Sequence, residues 1–438
     1  MKFLCEPAKG MHFLIAALIA ISMAAGAQLL PERLTCEYTE NPLGIDTRNP
    51  RLSWTFALTG RNQWQSAYEI LVSDNFADIQ QYRGTTWSTG RITSSENTHI
   101  IYEGTPLRSN TRYFWRMRAY DAGGQPSPWS EVNWFETAML DASDWQAKWI
   151  GDGRSQFERD EDFYQDDPMP LFRKDFQTAK DIAQARLYIS GLGYYEAYLN
   201  GTKISDHVLD PGWTTYSKEV QYVVHDITAL MKKGANVAAV MLGNGWWNPL
   251  PMTLFGRINL RDVQQTGRPC LKAELHITYA DGSREKIVTD ESWITAPGPV
   301  IRNNVYLGEH YDAQREIARW NTGAAPRRGW VQAALVQGPT GRLRTQMQPP
   351  IRVTAVVKPV KITEPEPGVY IADMGQNFAG VARIRVSGKA GTRIRLRYGE
   401  DLHKDGSLNF LTTVAGPDKR NVEPQRRPGS APHRLAGR

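Results

Sequence analysis

Cysteine is nearly absent, with three in 438 residues. Cys5 falls in the first apolar segment, which leaves Cys36 and Cys270 for the body of the chain. A disulfide-stapled scaffold is therefore excluded. The two remaining thiols fall in different domains, so a bridge between them is open but not favoured. The common catalytic signatures are also missing: no G-x-S-x-G, Walker A loop, C-x-x-C or H-E-x-x-H occurs. Gly191-Leu-Gly-Tyr-Tyr-Glu lacks the third glycine and the βαβ context of a dinucleotide fingerprint. The eight histidines are scattered and read as structural or exposed rather than as a metal set. No succession of long amphipathic helices is present, which argues against a helical barrel within these residues. The excess of basic charge is misplaced for nucleic-acid binding. Of the net +6, the first 27 residues hold +1 and residues 417–438 hold +4, so the body is close to +1.

What is present is apolar and aromatic. Hydrophobic residues make up 41% of the chain and 14 are tryptophan, enough for several packed cores. Residues 1–27 read as a signal peptide: Lys2 and Lys9 precede the apolar Phe13–Ile21, and Ala25-Gly26-Ala27 is an A-x-A cleavage site, with Met11 an alternative start. A transmembrane anchor is the competing reading, which the short run and its small-residue end disfavour. No cysteine follows the cleavage site, which disfavours a lipoprotein. Export to the periplasm or the medium is expected, with no membrane attachment after cleavage.

Residues 31–138 alternate apolar and polar at period two in PRLSWTF, QSAYEILVS and RYFWRMRAY, separated by turn signals such as Asp121-Ala-Gly-Gly. The spacing Tyr113-x-Trp115-x-x-Arg118-Ala119, then Gly124 and Ser127-x-Trp129-Ser130, resembles a fibronectin type III sandwich. A second sandwich is expected over 145–335. The loop near its start carries Asp160, Glu161, Asp162, Asp166 and Asp167, oxygen ligands that suit calcium. They lack EF-hand spacing, and a solvated loop is the favoured reading. From Arg342 a third unit begins, whose segments alternate as strands up to Gly416.

The second sandwich is organised around Gly191–Trp247. Asn200-Gly201, between Leu199 and Ile204, is a type I′ hairpin signal, because both central residues need positive φ. Val237–Leu242 is a continuous apolar run fit for one buried strand, ending at Gly243-Asn244-Gly245, a turn that presents Trp246 and Trp247. Aromatic faces beside asparagines on loops of a rigid scaffold suit sugar binding. The competing reading puts both indoles in the core, where most aromatic area goes. Ala280-Asp281-Gly282 is a further hairpin turn, between Cys270–Tyr279 and REKIVTD.

GLGYYEAYLNG, LDPGWTTY, GNGWW and YLGEHYDAQRE occur in an order that resembles the amino-terminal β-domains of bacterial α-L-rhamnosidases, family 78 glycoside hydrolases. The resemblance runs from about Leu34 to about Gly416. It implies an all-β fold of tandem sandwiches: fibronectin type III-like, jelly-roll-like, then a truncated concanavalin-like sandwich over 342–416, of which Asp373-Met-Gly-Gln-Asn-Phe-Ala-Gly is the start. It implies hydrolysis of terminal α-L-rhamnose as the parent activity, with rhamnose-containing glycans or glycosides as partners. In some rhamnosidases the second sandwich binds L-rhamnose, at times with calcium. The carbohydrate-binding candidates are Tyr194, Tyr195, Asn200, Asn244, Trp246 and Trp247, and no cofactor is required.

No catalytic residue is assigned. Inverting glycosidases place two carboxyls about 6.5–9.5 Å apart, and the family's pair sits in a carboxy-terminal (α/α)₆ barrel. Glu309 and Asp312 resemble such a pair, but their motif belongs to a non-catalytic domain, and Arg315 beside them points to an ordinary ion pair. Residues 417–438, with four prolines and five arginines, carry no strand or helix pattern and read as a disordered, frameshifted tail. The chain is expected to be an inactive rhamnosidase fragment; a secreted binding protein in its own right is the alternative.

Overall fold

The computed structural model describes residues 29–57, 61, 63–254, 257–306, 308–324 and 328–413. The signal segment and the arginine-rich tail lie outside the described residues. Strand dominates, as the alternating patterns require; α-helix among the described residues is limited to Phe76–Gln80 and Leu260–Val263. The chain divides into two compact units between Asp144 and Trp145.

The first unit is a β-sandwich. Arg51–Ala57 pairs antiparallel with Leu30–Cys36 and Ile100–Ile101 in one sheet. Arg112–Tyr120 lies central in the other, between Ala67–Ser73 and Asn133–Thr137. Strict alternation in Arg112–Tyr120 sends Tyr113, Trp115, Met117 and Ala119 into the core beside Trp54, Ile70 and Phe135. The outward residues are used too. Ser127 and Ser130 run along Arg112–Tyr120, their backbone N–H groups donating to Ala119 O and Met117 O at 2.7 and 2.8 Å and their hydroxyls accepting from the same two residues' N–H groups. Trp129 then lies under the Arg118 guanidinium, 4.8 Å from it, in a cation–π contact. This explains the Ser-x-Trp-Ser spacing.

The second unit is also a sandwich. One sheet runs Ala334–Leu335, Ile150–Gly151, Cys270–Tyr279, Ile182–Leu192, Glu219–Asp226 and Arg342–Thr345, with Arg284–Val288 also on Cys270–Tyr279. The facing sheet runs Thr202–Lys203, Tyr195–Leu199, Gly234–Leu242, Pro170–Thr178, Ile294–Pro297 and Val331–Gln332. Phe172, Ile189, Val240, Leu242, Leu271 and Trp293 fill the space between. The buried Glu274 carboxylate ties the start of the unit to its central strand. It accepts from the N–H groups of Gln146 and Ala147, the latter at 2.7 Å, and faces His276 Nε2 at 2.8 Å. The two hairpins read from sequence form: Asn200 and Gly201 have φ of 53° and 88°, and Gly282 has φ of 81°. Cys36 and Cys270 are both free and buried.

Two features differ from the pattern reading. Arg342–Thr345, expected at the head of the third unit, is an edge strand of the second, parallel to Glu219–Tyr222. Alternation identifies a strand but not the sheet that accepts it. Beyond it, Lys361–Glu366 pairs with Val369–Asp373, and Asp401–Leu402 with Leu408–Asn409. The intervening apolar residues stay outside: Val353, Val360 and Val381 are 65%, 70% and 87% exposed. A period-two strand buries one face only against an opposing layer, and the described residues put none over this stretch.

Candidate functional site

The Gly191–Trp247 stretch brings two turns together. Gly193, just past Ile182–Leu192, and Gly245, just past Gly234–Leu242, touch backbone to backbone. A Cβ on Gly193 would lie 2.0 Å from Asn244 O and 2.9 Å from Gly245 Cα, so only glycine permits this approach. Gly243 N–H donates to Tyr194 O at 2.9 Å, and Gly193 N–H to Gly243 O at 3.3 Å. The clasp fixes Tyr194, Asn244 and Trp246 in one place.

The aromatic part of this place is a shelf. Trp246 stacks face to face on Trp213, with ring centroids 4.3 Å apart and planes 11° from parallel. Tyr306 meets Trp246 edge-on at 5.6 Å. Gln264 ties the two residues together, accepting from the Trp213 indole Nε1 at 3.2 Å and donating to the Trp246 backbone carbonyl at 2.7 Å. The Trp246 indole also hydrogen-bonds the Tyr194 phenol, whose pKa burial pushes up. Trp213 is 47% exposed, so its outer face is the open aromatic surface.

The polar part lies beside it. Asn244 donates its backbone N–H to Asn303 Oδ1 at 2.7 Å and its Nδ2 to Asn303 O at 3.0 Å. Its Oδ1 accepts from Asn248 Nδ2 at 2.8 Å. Asn248 Oδ1 in turn accepts from Gln156 Nε2 and Arg261 Nη1, at 2.9 and 3.1 Å. Asn303 Nδ2 and Gln156 Oε1 are buried with no partner among the described residues. A donor and an acceptor left over in one network call for an outside hydroxyl or water.

Three of the six sugar-site candidates therefore share a surface, and three do not. Tyr195 is 8% exposed, its hydroxyl 2.9 Å from His225 Nε2 inside the sandwich. Trp247 is 3% exposed, packs edge-on against Tyr216 and donates its indole N–H to Arg268 O at 2.7 Å. Asn200 is committed to its hairpin: Nδ2 donates to Leu230 O and Asn236 Oδ1, and Oδ1 accepts from Val237 N–H. Tyr195 and Trp247 share one cause: neighbouring residues at a turn leave in opposite directions, so the sequence pairs Tyr194-Tyr195 and Trp246-Trp247 each split into one surface and one core residue. Trp213 and Asn303 were missed. Trp213 was legible, as the aromatic centre of DPGWTTY; Asn303 had no local signal.

The acidic loop is tied down by arginines. Asp162 pairs with Arg159. Arg268 spans Asp152 and Asp167, with four contacts of 2.9–3.2 Å, and Arg154 reaches both acids at 2.6 and 2.7 Å. Burial opposes ionisation of Asp152, but the arginines win and its pKa is lowered. These groups border a cavity of about 290 Å³ that reaches Trp247, Gln265 and Gln337. Asp312 accepts from Gln314 N–H at 3.0 Å and pairs with Arg315 at 3.2 Å, as its spacing suggested. Burial, then Glu196, raises the pKa of Glu309. As for metal-ligating groups, His207, Asp210 and His225 bring one donor atom each within 4.8 Å of one another.

The sheets of the two units and the aromatic shelf on paired turns of the second define an all-β protein of tandem sandwiches. Comparison with known proteins makes this specific. Residues 31–141 match a Rha78A-like N-terminal immunoglobulin domain, 180–355 an alpha-L-rhamnosidase N-terminal domain, and 363–422 a bacterial alpha-L-rhamnosidase concanavalin-like domain. An alpha-L-rhamnosidase of Formosa agariphila is 33% identical over 390 residues, covering 86% of this chain and 41% of that protein. The structure of the alpha-L-rhamnosidase from Dictyoglumus thermophilum superposes with a TM-score of 0.80 at 39% identity, covering 88% of this chain and 43% of that one. The Streptomyces avermitilis alpha-L-rhamnosidase complexed with L-rhamnose gives a TM-score of 0.79 at 26% identity, covering 88% of this chain and 53% of that one. The chain carries the amino-terminal domains of the bacterial α-L-rhamnosidase family. It spans about half the length, or less, of the relatives it matches.

Proposed function

We propose that this chain serves the hydrolysis of terminal α-L-rhamnose as an exported, non-catalytic β-region that holds rhamnosyl groups on its second sandwich. The supporting observation is the shelf of Trp213 and Trp246 next to the unpartnered Asn303 Nδ2 and Gln156 Oε1. An indole face covers the methyl-bearing side of a deoxy sugar, and amides offer both donors and acceptors to its hydroxyls. The S. avermitilis relative was itself solved with L-rhamnose.

A single monosaccharide site must offset the fixed entropy of association, so an affinity in the roughly millimolar to high-micromolar range is expected. Calorimetry of the full chain with L-rhamnose, with and without EDTA, is the test. Trp213→Ala should abolish the heat without a shift in melting temperature, because that indole is half exposed. Trp246→Ala is less clean, since it also removes the partner of Tyr306. No heat at millimolar sugar in either condition, from folded protein, overturns the binding role and leaves a structural spacer.

A further inference from the structure

The loop that leads from the Thr202–Lys203 edge strand into the DPGWTTY turn brings His207 and Asp210 close to the buried His225 of Glu219–Asp226. We propose that His207, Asp210 and His225 form a binding site for a transition-metal dication of the zinc type. The proposal is independent of the sugar reading and uses none of its residues.

The geometry is that of a prearranged donor set. His207 Nδ1 lies 2.7 Å from Asp210 Oδ2, and the two imidazole rings are 5.1 Å apart between centroids. Zinc–nitrogen and zinc–oxygen bonds of about 2.0–2.1 Å put tetrahedral donors roughly 3.3 Å from each other. A spread of at most 4.8 Å closes to that by small side-chain rotations. A void of about 10 Å³, bordered by Tyr195, Ile204, Ser205, His207 and Asp210, opens beside the donors. That is near the size of one water or one ion.

The surroundings hold the ligands in place. Gln346 Nε2 donates to Asp210 Oδ1 at 3.0 Å, Gln346 Oε1 accepts from Gly212 N–H at 2.8 Å, and Asp210 O accepts from Tyr195 N–H at 3.1 Å. Such outer contacts orient a metal ligand before the metal arrives. His225 Nε2 meets the Tyr195 hydroxyl at 2.9 Å, which fixes that ring.

Donor chemistry selects the ion. Two imidazoles and one carboxylate suit zinc, copper or nickel, whereas calcium takes six to eight oxygens. One group opposes a cation: Arg352 Nη2 stands 3.1 Å from His207 Nε2. It is half exposed and also pairs with Asp206 at 3.1 Å, so it can swing to that partner.

The test uses the full chain without a histidine tag, stripped with EDTA and titrated with zinc and with cobalt(II). One zinc per chain should survive desalting, and cobalt should show the visible bands of a tetrahedral site. His207→Ala, at a partly exposed position, should weaken zinc by more than about tenfold and remove the cobalt bands with the fold intact by circular dichroism. Asp210→Asn should act in the same direction. Arg352→Gln should strengthen binding, since it removes a positive charge near the ion. A hydrogen-bond network with no metal role gives no retained zinc, and that result overturns the proposal. So does zinc that binds His207→Ala and the parent chain equally.

Discussion

Gly193→Ala tests the clasp on which the aromatic shelf depends. The new methyl would sit 2.0 Å from Asn244 O, 2.5 Å from Asn244 C and 2.9 Å from Gly245 Cα. All three are backbone atoms, so no side-chain rotation relieves the clash and one turn has to move. Overpacking of this kind costs about 1–3 kcal/mol. The two backbone hydrogen bonds across the clasp, Gly193 to Gly243 and Gly243 to Tyr194, would be lost with it, at about 1 kcal/mol each. The sum is about 3–5 kcal/mol, or roughly 6–20 °C in the melting transition of a domain this size. Scanning calorimetry of the full chain reads the shift, and the circular dichroism couplet of the stacked indoles Trp213 and Trp246 reads the local damage. Gly323→Ala is the control: its Cβ would meet nothing within 4 Å, so the transition should stay within about 2 °C. A Gly193→Ala chain that melts with the parent and keeps the indole couplet would refute the backbone contact and the placement of the shelf.

Three further outcomes are expected. Glu274→Gln should cost about 2–4 kcal/mol at pH 7, because a buried carboxylate held by two backbone N–H groups and His276 is replaced by a neutral amide. Its acid limb should change as well. Burial works against the Glu274 charge, but His276 and the N–H donors lower its pKa, so its stabilisation exists above about pH 4.3 and is lost as pH falls through the lower folded value. Burial lowers the pKa of His276, so stability also declines once pH drops below about 6.5, where only the unfolded ring takes a proton; urea titrations across pH show both. Arg268→Lys should destabilise by about 2–4 kcal/mol, since a point charge cannot serve Asp152 and Asp167 at once; thermal melts of Arg268→Lys, Asp152→Asn and the double variant read the coupling. The purified chain should release no rhamnose from an aryl α-L-rhamnoside, and turnover abolished by a change at Glu309 or Asp312 would show that those carboxylates are catalytic after all.

Much of the fold was legible because its signals are local. Period-two alternation in Arg112–Tyr120 and Cys270–Tyr279 needs only one buried face, and the structure supplies it in both. Asn200, Gly201 and Gly282 take positive φ, which their turn sequences announce regardless of what lies around them. Sheet membership is not local. Arg342–Thr345 alternates no differently from its neighbours, yet it pairs with Glu219–Tyr222, more than a hundred residues away in sequence. Nothing in four residues encodes that partner.

The site was half legible for the same reason. Turn glycines and tandem aromatics identify where the chain reverses, and the Gly243-Asn244-Gly245 turn of the clasp was read in this way, whereas the turn at Gly193 was not. Which ring faces outward is decided by the other turn. Trp247 goes inward because Gly267 leaves room for its indole, where a Cβ would come within 2.6 Å of Cζ2, and because Arg268 O is placed to accept its N–H. Trp246 goes outward because Trp213, thirty-three positions earlier, offers it a parallel face. A reading confined to GNGWW treats the two indoles alike. Adding DPGWTTY and RPC, the segments that supply one contact to each, separates them. The unit that carries the information about this surface is therefore three short turns taken together, and a substitution in any one of them should be judged by its effect on the other two.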